Sequence, residues 1–172
     1  MKKQKYFQKG FSLLEMAIYA AILSILTIVT INSTFSGIRS FAEFRVARDL
    51  NSSAASLLER LSREIRTAYA IEINQSSFGV NPGRLTLKTK GIGGADTTVE
   101  FYVENGNLKI KEGGVPMGAL ISSSTAVTNF TIRSLSNPNS IAVKTELGLT
   151  ATRGSISKGG NFYSTILLRG SY

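Results

Sequence analysis

The chain of 172 residues contains no cysteine and no histidine. Without cysteine there is no disulfide framework, no thiolate zinc site and no sulfur nucleophile. Without histidine there is no imidazole general base, no Ser-His-Asp triad and no imidazole metal ligand. These absences argue against an enzyme, and no metal or cofactor is expected. They do not fix the compartment, because an exported domain can be stable without disulfides. Proline is scarce, and none precedes Pro82. Acids are scarce too, 11 against 20 Lys and Arg, which gives a formal charge of +9.

Hydrophobic residues make up 42% and charged residues 18%, a globular composition with an apolar bias. Much of that bias sits near the N-terminus. Residues 11–31 read FSLLEMAIYAAILSILTIVTI, with Glu15 as the single charge. As a helix this run is about 32 Å long, which matches a hydrocarbon core of about 30 Å. Lys2, Lys3, Lys5 and Lys9 precede it with no acid among them, and the next charge after Glu15 is Arg39. The positive-inside rule puts such an N-terminus in the cytoplasm and the rest of the chain outside. A cleaved secretory signal fits less well, since its apolar region is only about 7–15 residues and ends in an A-x-A-like site. Without residues 1–10 the remaining 16 bases against 11 acids leave +5. A solvated basic surface explains that excess, and contact with DNA or another acidic surface stays open.

Helical spacing continues past the apolar run. Phe35, Ile38, Phe41 (or Ala42), Val46, Leu50, Leu57, Leu58, Leu61, Ile65 and Ala68 recur every three to four residues among charged ones. One helix from about Phe11 to Ala70 is expected, apolar all round at first and amphipathic afterwards. Asn32 and Gly37 are its soft points, and Glu59 and Arg63 are spaced for an i,i+4 pair. Beyond Tyr69 the apolar residues alternate instead, at 84–88, 99–103, 108–111, 130–133 and 141–145. That period, with turn residues between, predicts antiparallel strands with one buried face. Asn105-Gly106 reads as a tight primed hairpin turn. Gly91-Ile-Gly-Gly reads as a turn, not a phosphate loop, because it does not join a strand to a helix. Ser157–Asn161 reads as another turn before a last strand at Phe162–Arg169. Five or six strands in a meander are expected to lie on the stripe from Val46 to Ala68, an α+β head on a long helix. Asn32, Asn51, Asn74 and Asn129 begin N-x-S/T triplets, a pattern common by chance.

Lys9-Gly10-Phe11-Ser12-Leu13-Leu14-Glu15-Met16 resembles the type III signal of type IV prepilins and type II secretion pseudopilins. Basic leader, glycine, aromatic residue, glutamate at the fifth mature position and a long apolar run occur in order at the N-terminus. The resemblance implies a pilin fold and no catalytic residues. It also implies cleavage between Gly10 and Phe11 by a membrane prepilin peptidase, which then methylates the Phe11 amino group. The domain layout becomes a leader at 1–10, a transmembrane assembly helix at 11–38 and a soluble head at 39–172. In that head 39–70 is helix and 71–172 is sheet. Gly10 lacks a side chain, so an extended backbone fits closely in a protease cleft. Glu15 costs a few kcal/mol, up to about 2.5–3.5 at the bilayer centre, and so asks for a partner or a function. The resemblance implies that it neutralises the N-terminal amine of a neighbouring subunit. The less favoured alternative is an interfacial residue of an ordinary anchor that snorkels to water, and its own segment offers no obvious partner.

Leu57–Ala68, LLERLSREIRTA, is similar to the helix end of J-class minor pseudopilins and related minor pilins. The first helix lacks the proline, and the C-terminus the cysteine pair, of many major pilins. Asp96, Glu100, Glu104, Glu112 and Glu146 form no D-x-D-x-D-G loop of the kind that binds calcium in major pseudopilins. These departures favour a minor subunit. The partners implied are other pilin or pseudopilin subunits, the peptidase, an inner-membrane platform protein and a cytoplasmic assembly ATPase. The location implied is a single pass through the inner membrane, then a surface or periplasmic pilus or pseudopilus. Two rivals remain. One is a DNA- or surface-binding tip or competence subunit, which needs Lys88, Lys90, Lys109, Lys111 and Lys144 clustered on one face. The other is a single-pass anchored domain that never polymerises.

Overall fold

A computed structural model of the chain describes residues 12–91, 93–137 and 140–168. One helix, α1, runs without a break over Leu13–Thr67. No proline interrupts the hydrogen-bond ladder, and both Asn32 and Gly37 are helical. The chain forms two compact units, Met1–Ala42 and Glu43–Tyr172.

In the first unit α1 is long and apolar enough to cross a membrane. Among the described residues its large side chains are exposed, Leu13 to 88% and Phe41 to 73%. Four hydroxyls of this stretch bond back to the helix itself. Ser24, Thr27, Thr30 and Thr34 each donate to the carbonyl four residues earlier, at 2.8–2.9 Å. A hydroxyl satisfied in this way needs no water, so a lipid environment does not penalise it.

In the second unit the helix becomes one side of a core. Val46, Leu50, Leu57, Leu61, Ile65 and Ala68 are buried, as the spacing predicts, and Ala54 joins them. Two antiparallel sheets, not a single meander, supply the other side. The first has five strands in sequence order: β1 (Ala70–Ile71), β2 (Arg84–Lys90), β3 (Asp96–Glu104), β4 (Asn107–Glu112) and β5 (Val115–Ala119). The second comprises β6 (Thr125–Asn137), β7 (Ser140–Arg153) and β8 (Ile156–Leu167). In the first sheet Leu85, Phe101 and Ile110 are register partners facing the core. In the second, Phe130, Leu147 and Phe162 form the equivalent row. The α+β layout is therefore as expected, with more and longer strands than the sequence pattern reveals.

The turn chemistry is mostly as read. Asn105 and Gly106 both have positive φ, 52° and 71°, which a primed two-residue hairpin requires. Gly91–Ala95 closes the β2–β3 connection, the Gly91 N–H donating to the Ala95 carbonyl at 2.8 Å. The expected turn at Ser157–Asn161 is wrong: those residues lie inside β8, and the chain turns at Gly154, where φ is 61°. Gly160 serves close packing instead. A Cβ there would lie 3.4 Å from both Leu50 Cδ2 and the Phe162 ring. Gly83 is tighter still, since its Cβ would stand 2.9 Å from the Phe130 carbonyl oxygen.

Candidate functional site: the N-terminal helix and the lysine face

Gly10, Phe11 and the leader residues Lys2, Lys3, Lys5 and Lys9 lie outside the described residues. Glu15 lies within them, in the first turns of α1. It has a partner in its own segment: the Tyr19 hydroxyl donates to Glu15 Oε1 at 3.0 Å. This corrects the expectation of none. Residues four apart stack on one helix face, and the tyrosine is long enough to reach back one turn. One hydrogen bond leaves the carboxylate several free acceptor sites, so a cation can still be received. The signal was in the sequence, as an aromatic hydroxyl four positions after a lone acid.

Of the five lysines whose clustering on one face would favour a binding head, four share a face and one does not. By register, Lys88, Lys111 and Lys109 stand beside Thr98, Glu100 and Tyr102 on the outer face of the first sheet, with Lys90 beside Asp96. Lys144 belongs to the second sheet. Each of the five is ion-paired. Lys88 meets Glu72 at 2.6 Å, Lys90 meets Asp96 at 2.6 Å and Lys109 meets Glu104 at 2.5 Å. Lys111 lies 3.6 Å from Glu100, and Lys144 lies 3.2 Å from Glu146. Hydrogen bonding to Glu72, Asp96 and Glu104 respectively holds the Lys88, Lys90 and Lys109 ammoniums above the ordinary lysine pKa. Lys111 also sits 4.4 Å from the centroid of the Tyr102 ring. A face of paired charges has a weak outward potential, unlike the open basic stripe of a phosphate-binding surface. On the helix, Arg60 bridges Glu64 and Glu112 at 3.0 and 2.6 Å, and Arg63 pairs with Glu59 at 3.0 Å.

Residues 6–31 match the prokaryotic N-terminal methylation motif. This is the class III signal of type IV pilins and pseudopilins, and it supports a precursor of that kind. The match takes in Lys9, Gly10, Phe11, Glu15 and the apolar run to Ile31, and none of the head. Comparison with curated proteins and with solved structures finds no match.

Proposed function

We propose that the chain is a structural subunit, of the minor kind, of a type IV pilus or pseudopilus, and that it polymerises through α1. The observation that carries this reading is the methylation motif running directly into an apolar helix whose large side chains are exposed among the described residues. The leader lysines hold the precursor with its N-terminus in the cytoplasm. A prepilin peptidase cuts after Gly10 and methylates the Phe11 amine. The helices then bundle into the fibre core, which keeps their large side chains out of water. Lipid already shelters those side chains, so selection of the next subunit falls to polar contacts. At about 4 Å and an effective dielectric of about 20, Glu15 attracts a neighbour's amine by roughly 4 kcal/mol before desolvation. The Tyr19 hydroxyl orients the carboxylate for that contact. The assembly platform and ATPase of such a system supply the extraction of subunits from the membrane.

The test is the fibre-associated fraction, sheared from cells, set against the membrane fraction. Glu15→Ala leaves the neighbouring amine unpaired, and Glu15→Val makes the segment a better plain anchor. Both are expected to insert and to be processed, yet to be depleted from the fibre. Assembly of both variants at the unmodified level would reduce Glu15 to an interfacial residue and leave a non-polymerising anchor as the better reading.

A further inference from the structure

β8 is a 12-residue strand that pairs with β7 without a register shift and, among the described residues, has no strand on its other side. The Leu168 N–H donates to the Ile141 carbonyl of β7 at 2.9 Å. In an antiparallel ladder, alternate residues aim both main-chain groups at one neighbour and then at the other. Even-numbered residues of β8 therefore bond to β7. Odd-numbered residues 157–167 turn their N–H and C=O groups outward, and they have no backbone partner among the described residues.

The remaining edges are short or blocked over most of their length. On β6 the Ile132 and Phe130 carbonyls accept from Gly79 and Gly83 at 2.8 and 2.7 Å, and the Val127 N–H donates to Gly106 at 2.7 Å. Asn81 Oδ1 takes the Phe130 N–H at 3.0 Å. β5 is five residues long, contains Pro116 and is shifted in register against β4. β1 has two residues. Folded sheets use such devices to prevent unwanted pairing. β8 has no proline, no bulge and a single charge, Lys158, which is drawn back to Glu43 at 3.5 Å.

We infer that the β8 edge receives an extended strand from a different subunit of the same fibre, an inference that rests on the polymerising role proposed above. A second copy of this chain does not fit. Self-pairing of β8 is two-fold and keeps the sheet faces in common, so it reverses the helix segment lying on the sheet. That segment is fixed across the inner face by Leu50 against Gly160 and by Ser53 to Thr125 at 3.3 Å. Successive subunits of a fibre that grows by adding the same N-terminal segment are related by a screw rotation, not by a two-fold, which excludes that pairing. Head-to-tail pairing needs a second long free edge, and among the described strands only the short end of β6, Ser134–Asn137, is open. The chemistry of the edge defines the occupant. Tyr163 is 64% and Leu167 52% exposed on the outer row, Phe162 is half-buried on the inner one, and β8 carries no carboxylate. The fit is a neutral or acidic extended segment with apolar residues at alternate positions.

The experiment uses the full chain, first alone in detergent and then in fibres assembled with its companion subunits, with residue-resolved amide exchange. Odd-numbered β8 amides are expected to exchange freely in the isolated chain and about tenfold or more slowly in the fibre. Thr165→Pro removes one outward N–H and spares the β7 ladder, because proline is tolerated where an edge N–H faces solvent. It is expected to lower the fibre fraction several-fold with core protection unchanged, whereas Ser164→Pro breaks the head. If Thr165→Pro unfolds the head, Leu167→Lys serves in its place by adding a charge to the edge. Fibres that hold the chain at the usual level while those amides still exchange freely would overturn the docking edge and leave polymerisation standing. Protection in the chain alone would overturn the choice of a different partner. A processed chain that never enters fibres would overturn both readings.

Discussion

Leu61→Ala tests whether the head depends on the stalk. Leu61 is 0% exposed, one turn from Leu57 at 1% and Ile65 at 0%. Truncating such a leucine removes transfer free energy and leaves a cavity, together about 2–5 kcal/mol. A domain of this size is stable by only about 5–15 kcal/mol, so one substitution removes a large fraction of the total. With a urea m-value of about 1–3 kcal/mol/M, the midpoint should fall by about 1–2 M. Phe44→Ala is the control. It deletes a larger apolar side chain from the same helix, but Phe44 is 76% exposed. It should move stability by no more than about 0.5 kcal/mol. Near-ultraviolet circular dichroism of the detergent-solubilised full chain reads the transition through its six tyrosines, since tryptophan is absent. Equal midpoints for the two variants would show that the sheets stand without the helix.

Two further outcomes are expected. Gly10→Leu should leave the precursor uncut, and intact-mass measurement of the membrane fraction should then find residues 1–10 retained. Thr145 is 0% exposed and its hydroxyl has no hydrogen-bond partner among the described residues. Thr145→Val should therefore raise the head's stability by about 1 kcal/mol, read as a higher denaturation midpoint.

The helix was the most legible part of the fold because a 3.6-residue stripe without proline admits few other readings. The expected end at Ala70 and the observed end at Thr67 differ only by the chain's turn into β1. The sheets were less legible. β5 reads Val-Pro-Met-Gly-Ala, is exposed throughout and has no alternation to detect. β7 extends over 14 residues, but threonines and Gly148 dilute its apolar period after Thr145. Gly159 and Gly160 imitate a turn because sequence does not separate a glycine that bends the chain from one that admits a neighbour. Gly160 is of the second sort, set against Leu50. In the candidate site the Glu15 position was legible from its isolation in an apolar run. Tyr19 was missed because it reads as one more apolar residue until its hydroxyl is placed. A shared lysine face entered only as a condition of the rival reading, and the ion pairs were not legible, because Glu72, far from Lys88 in sequence, reaches it only through the β1–β2 pairing.

The missing histidines also predict how pH acts, and they separate folding from assembly. Asp96 is held below the ordinary carboxylate pKa first by its hydrogen bond to Lys90 and then by Tyr69, and Glu104 by Lys109. A depressed carboxylate adds stability above its unfolded pKa, and that contribution is lost as pH falls through the folded value. Lys88, Lys90 and Lys109 are raised, so their contribution holds below the unfolded lysine pKa and is lost as pH rises through the folded one. Head stability should therefore be flat across the neutral range and weaken only at the acid and alkaline ends. No side chain of the head has an ordinary pKa between about 5 and 8. The N-terminal amine does titrate nearby, at about 7.7–8.0 in unperturbed chains. If Glu15 pairs with that amine, assembly should decline as pH rises through its pKa while the denaturation midpoint of the head stays constant. Fibre yield and midpoint measured over the same pH series decide the matter. A midpoint that moves in step with fibre yield would place the titrating group in the head and refute the pairing.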